Sequence, residues 1–159
     1  MAAPILFLII QLGEDRYALE ASQVAEIVPL VRLKSLPGAP LGVAGLMNFR
    51  GAALPVVDVN LLATGTPTAA TGATRIVVVH DVIEGRAGGG GALGLLVPDA
   101  RETLRLDPAG FADAGIAADG APYLGQVLAT SEGVLQRVTI GALLSDELRD
   151  ALSRSAVAA

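Results

Sequence analysis

Val43-Ala44-Gly45-Leu46-Met47-Asn48-Phe49-Arg50-Gly51-Ala52-Ala53-Leu54-Pro55-Val56-Val57-Asp58-Val59 is the stretch that decides the fold. Val43–Phe49 and Ala52–Val59 are short, mainly apolar runs that meet at Arg50-Gly51. Two such runs joined by a glycine-containing pair predict a β-hairpin, because Gly51 is free to take the positive φ of a tight turn. Asp58-Val59-Asn60-Leu61-Leu62 predicts a short helical turn behind it.

The same rhythm extends in both directions. Upstream, Ile5–Leu12 carries apolar residues on both faces, which predicts a strand buried on both sides. Gly13-Glu14-Asp15 is a turn, and Arg16–Leu19 returns as a strand. Val24, Ile27, Val28 and Val31 continue an extended segment, with Pro29 against a long helix. Leu36-Pro37-Gly38-Ala39-Pro40 is a rigid turn. Downstream, Thr64–Thr74 is a loop of small polar residues with Gly and Pro. Arg75–Ile83 and Leu93–Val97 bracket the glycine-rich loop Gly85–Gly91, and Glu102–Leu106 is a further strand. A helical turn is expected around Pro108. Tyr123–Thr130 and Val134–Ile140 form a hairpin through Ser131-Glu132-Gly133. Ser145 can cap a final helix, with Asp146 and Glu147 in its positive first turn and Leu148 and Leu152 on one face. About ten strands at roughly 8–12-residue spacing predict an all-β barrel or sandwich rather than alternating strands and helices.

Composition excludes several functions. The chain of 159 residues has no cysteine, which removes disulfides, zinc-thiolate sites and cysteine nucleophiles. Net charge is −5 with the arginines scattered singly, the opposite of the basic patch that phosphate binding needs. The aromatic share of 3% leaves few rings to stack on bases or sugars. Ile5–Ile10 and the stretch around Leu41–Met47 are the longest apolar runs, well short of the roughly 20 residues of a membrane-spanning helix. Met1-Ala2-Ala3-Pro4 lacks the positive start of a signal peptide, so a cytoplasmic protein is expected.

No catalytic constellation emerges. His80 is the one histidine, and neighbouring Asp81 points to the opposite face of the strand, so the two do not pair. Gly89-x-Gly91-x-x-Gly94 formally matches a dinucleotide fingerprint, but a strand ending at Pro98 follows where a helix N-terminus should hold pyrophosphate. The carboxylates are spread and lack calcium-loop spacing. An interaction module is favoured. A small-ligand-binding β-barrel and a hydrolase with a carboxylate pair stay as alternatives.

Several segments, in order, resemble CheW-like domains. They are Ile5–Ile27, Leu36–Pro40, Gly42–Gly51, Leu54–Val59, Gly94–Val97, Tyr123-Leu124-Gly125 and Leu143-Leu144. The block from Asn48 to Asp58 is the most specific. The resemblance implies two packed five-stranded SH3-like β-barrels in a single domain over 1–159, with a core at about 4–145 and a short C-terminal helix at about 145–154. It implies no catalytic activity and no cofactor. It implies an adaptor joining the cytoplasmic tip of methyl-accepting chemotaxis receptors to the regulatory domain of a CheA-type histidine kinase, held at membrane arrays through its partners. By position, Arg50, Val24, Glu26, Asn48 and Gly51 would bind the receptor, and Thr74 and Arg75 would face the kinase. Pro98 stands where the family continues a strand, which implies an edge strand or bulge there. With Ala44, it suggests a specialised paralogue from a non-flagellar chemosensory system.

Overall fold

The strands that are apolar on both faces separate three cores. In the computed structural model, residues 3–83, 91–116, 124–143, 145–148 and 150–151 are described. The strands are β1 Ile5–Leu12, β2 Asp15–Glu20, β3 Val24–Pro29, β4 Val43–Phe49, β5 Ala52–Asp58, β6 Arg75–Ile83, β7 Gly91–Val97, β8 Asp99–Leu106, β9 Leu124–Thr130 and β10 Gly133–Val138. Helix α1 is Val59–Thr64 and α2 is Ile140–Leu143. The first sheet runs β8-β1-β2-β10-β9 and the second β3-β6-β7-β5-β4. This is the expected all-β pair of five-stranded, SH3-like units.

Alternation along single strands shows why both faces are apolar. On β1, Leu8, Ile10 and Leu12 enter the core between the sheets, while Phe7 and Ile9 enter the interior of the first barrel with Phe111 and Leu135. On β6, Val77 and Val79 face the shared core, and Ile76 and Val78 face the second interior with Met47, Leu54 and Val56. A period-two pattern places successive side chains on opposite faces, so a strand between two cores has no polar side.

The two barrels share one wiring plan. In each, the pairings across the sheet run antiparallel, antiparallel, parallel, antiparallel: β3–β6–β7–β5–β4 and β8–β1–β2–β10–β9. The second barrel is continuous in sequence. The first is a circular permutation of it, built from the N-terminal hairpin and the chain after Pro98. Among the described residues, a short bridge closes each barrel. Lys34 and Leu46 exchange backbone hydrogen bonds of 2.8 and 2.9 Å, and Ala112 and Val127 exchange bonds of 2.9 and 2.8 Å.

The prolines and bulges fit this plan. Pro29 ends the edge strand β3, and Pro98 is the bend at which the chain passes from β7 to β8. The β1–β8 register shifts between Ile9 and Gln11, opposite the start of β8, so the expected bulge is present beside the edge. Pro55 lies inside β5, but Leu46 opposite it turns its N–H and C=O to Lys34, so the ladder with β4 asks no donor of Pro55.

Several element boundaries differ from expectation by one to three residues, and these shifts matter most. β8 begins at Asp99 rather than Glu102. The extended segment after Val24 stops at Pro29 rather than Val31. β10 stops at Val138, and Ile140 opens α2, because Ile140 and Leu143 at helical spacing both reach the shared core. The Ser145 cap is present: its Oγ accepts the Leu148 N–H at 3.1 Å, and 146–148 and 150–151 are helical. Most of the Gly85–Gly91 loop, Tyr123, Leu144 and the helix beyond 151 lie outside the described residues.

Gly94 marks the tightest β5–β6–β7 packing. A Cβ there would lie 3.0 Å from both Ile76 Cγ2 and Val56 Cγ2, two fully buried methyls. Gly94→Ala is expected to cost about 1–2 kcal/mol through overpacking, read as a lower urea midpoint at unchanged slope.

Candidate functional site

The hairpin between β4 and β5 turns at Arg50 and Gly51, with φ of 53° and 85°. Both central residues are in the left-handed region, as in a type I′ turn. Glycine adopts this readily, but arginine does not, and the usual first residue is Asn, Asp or Gly. Arg50 is the one non-glycine residue with positive φ among those described. The Asn48 side-chain Oδ1 accepts the Gly51 N–H at 2.9 Å and holds the turn. Such side-chain bonds satisfy a backbone donor that a two-residue turn leaves open.

The turn presents Arg50 outward. Its guanidinium carbon lies 4.9 Å from the Phe49 ring centroid, within cation–π range. Its Nη2 is 2.8 Å from Glu26 Oε2, and the Arg50 side chain is 76% exposed. Glu26 lies on β3, at the far edge of the same sheet. The pair therefore spans the seam across which the second barrel closes. An exposed pair of this kind stabilises a fold by about 0–1 kcal/mol, so folding alone does not account for the arginine.

Val24 is two residues before Glu26 but on a different face. The β3–β6 register shifts between Val24 and Glu26, with Val24 opposite Val79 and Glu26 opposite Val78. The extra residue breaks alternation. Val24 packs half-buried on the core between the sheets, whereas Glu26 reaches the hairpin tip. The structure thus brings together Arg50, Glu26, Asn48 and Gly51, while Val24 packs apart from them on the core between the sheets. Phe49 belongs to the group as well. A lone aromatic at a strand end gave no sign of this in the sequence. A groove of about 320 Å³ runs along the hairpin between Lys34, Met47, Asn48 and Gly51.

Thr74 and Arg75 lie elsewhere, at the start of β6 where Arg75 pairs with Pro29. The Thr74 side chain is turned inward. It donates to Ala69 O at 2.6 Å and accepts the Thr71 N–H at 3.0 Å, and the residue is 1% exposed. Arg75 Nη1 donates to Gly72 O at 2.7 Å and to Thr74 O at 2.8 Å. These two residues shape the loop between α1 and β6.

A hollow of about 330 Å³ near Gln11, Asp99 and Glu102 contains Arg16, whose guanidinium is paired at 2.9 Å with both Glu102 and Glu132. Gly94 of the nucleotide-like fingerprint sits within β7, so no helix follows it. Among the described residues, no group of three His, Asp or Glu side chains could hold a metal, and no helix is long and apolar enough to cross a membrane.

Comparison with known proteins agrees with this architecture. A crystal structure of the scaffolding protein TtCheW from Thermoanaerobacter tengcongensis superposes with a TM-score of 0.75 at 21% identity, covering 91% of this chain and 90% of that one. No curated protein matches in sequence. The family described as the CheW-like domain matches residues 6–148, nearly the whole of the two barrels, and the chain belongs to that family.

Proposed function

We propose that this chain is a non-catalytic adaptor that couples methyl-accepting chemoreceptors to a CheA-type histidine kinase, with the Arg50 hairpin tip contacting the receptor. Membership in a family of chemotaxis scaffold proteins supports the class of function. The observation that supports the site is the conformation of Arg50. A left-handed arginine costs about 1 kcal/mol relative to glycine or asparagine, and its exposed ion pair returns little. Strain retained at an exposed tip points to a contact made with another molecule. A planar donor fork held on a rigid turn suits recognition of a carboxylate or of backbone carbonyls on a helical hairpin. In this reading the protein is cytoplasmic and joins membrane arrays through its partners. Thr74 and Arg75 set the loop that meets the kinase.

The test is calorimetric titration with a receptor cytoplasmic hairpin, using Arg50→Asn beside Arg50→Ala. Asparagine suits the turn better, so Arg50→Asn is expected to raise the unfolding midpoint slightly while weakening receptor binding about tenfold. Gain in stability with loss of binding is the signature of a residue kept for function. A folded Arg50→Asn with wild-type receptor affinity would sink the assignment.

A further inference from the structure

We infer that Asn60 is a positioning residue that locks the α1–β6 loop and the first barrel's β1–β2 turn into one arrangement, so that a partner touching the loop is read by both barrels. The inference rests on the adaptor reading only in naming that partner as the kinase's regulatory domain.

Asn60 is the second residue of α1 and is 7% exposed. Its carboxamide is used in two directions. Oδ1 accepts the Gly13 N–H at 2.9 Å, and Nδ2 donates to Thr66 O at 2.9 Å. Gly13 belongs to the β1–β2 turn of the first barrel, and Thr66 to the loop of the second. One planar amide therefore bridges the barrels and the loop at once, with fixed donor and acceptor ends. The backbone of the same residue adds a third tie, since Thr64 Oγ1 donates to Asn60 O at 2.7 Å.

The shared wiring plan shows that this joint is special. α1 follows β5 as α2 follows β10, and β5 and β10 are equivalent strands. Each helix reaches over to the other barrel: α1 touches β1, and α2 touches β6. The α2 joint is apolar, with Ile140 and Leu143 in the common core. The α1 joint puts Val59 in the same core and adds the two directional bonds of Asn60. An apolar contact tolerates sliding, whereas two hydrogen bonds from one amide specify distance and orientation together. Behind Asn60 the loop continues through Thr68, held by Asp58, to Thr74 and Arg75. The α1 side is thus built to hold a loop in place relative to the opposite barrel.

Asn60→Ala removes both side-chain bonds. Asn60→Asp keeps an acceptor for Gly13 and removes the donor to Thr66. Amide hydrogen exchange on the full chain distinguishes them. Asn60→Ala is expected to speed exchange about tenfold at Gly13 and within 66–74. Asn60→Asp is expected to speed it within 66–74 and leave Gly13 protected. In titrations with the kinase's regulatory domain, both variants are expected to bind about tenfold more weakly, with receptor-hairpin affinity held within about twofold. A merely structural role would lower both affinities together, and that result overturns the inference. Unchanged exchange in Asn60→Ala overturns it too, as does Asn60→Asp binding the kinase domain at full strength with a freed loop. If Asn60→Ala does not fold, Asn60→Asp decides alone. If the wild-type chain binds neither partner, the adaptor reading falls, and the exchange pattern still decides whether Asn60 holds turn and loop.

Discussion

Gly45→Val is expected to open the second barrel and to destabilise the protein by about 3–5 kcal/mol. Gly45 has φ of 147°, and a Cβ there would sit 2.5 Å from Lys34 O, well inside contact distance. Backbone, not a flexible side-chain end, stands in the way. The same oxygen accepts the Leu46 N–H at 2.9 Å, and Leu46 O accepts the Lys34 N–H at 2.8 Å. These two bonds join the segment after β3 to β4 and close the barrel. The β4–β5 register shifts between Val43 and Gly45, so the glycine also carries the bulge that bends β4 toward Lys34. Pushing Lys34 away leaves Leu46 unpaired on that side and lets water reach the interior formed by Met47, Leu54, Val56 and Leu96. Urea unfolding measures the loss. Lys34→Ala is the control, expected within about 0.5 kcal/mol of wild type, because the contact is made by its backbone. A Gly45→Val protein within 1 kcal/mol of wild type would show that the Lys34–Leu46 bridge does not close the barrel.

How much of this was legible follows from the range of each interaction. The hairpin from Val43 to Asp58 was readable because its signal is local: two apolar runs and a glycine that permits the turn. β1 was readable as doubly buried because alternation writes both faces into consecutive residues. The Ser145 cap was readable because it lies three residues before the N–H it accepts, and helical turns were expected over Asp58–Leu62 and around Pro108, where α1 and a short 3-10 turn stand. The circular permutation was not readable, since β2 pairs with β10 across most of the chain and no local pattern records it. The bulge between Val24 and Glu26 is one unmarked residue, yet it sends the two to different faces. The inward turn of Thr74 escaped because a threonine in a polar loop reads as exposed until its partners, Ala69 and Thr71, are known. The resemblance to CheW-like domains located Arg50, but its strain is a tertiary fact: only the observed φ tells that the turn is paying for a side chain asparagine would replace more easily.

Asp58→Ala is the second large effect, expected to cost about 3–4 kcal/mol. The Asp58 carboxylate ends β5 and is 6% exposed. Oδ1 accepts the Leu61 N–H at 3.1 Å, capping α1, and the Thr68 hydroxyl at 2.6 Å. Oδ2 accepts the Thr68 N–H at 2.9 Å. Alanine strips three donors of their acceptor at once, and charge-assisted bonds are the stronger kind. The helix cap is worth about 1 kcal/mol, and the two Thr68 bonds supply the remainder. For a domain of this size the loss corresponds to a melting temperature lower by about 10 °C. Asp58→Asn separates the contributions. Its oxygen can keep the cap and the Thr68 hydroxyl, but its NH2 then faces the Thr68 N–H, donor against donor. It is expected to recover about half the loss. If Asp58→Asn instead matches alanine, the carboxylate charge, through the α1 dipole, outweighs the individual bonds. If both variants melt with wild type, the loop is not held by Asp58, and the route from β5 through α1 to Thr74 loses its first link.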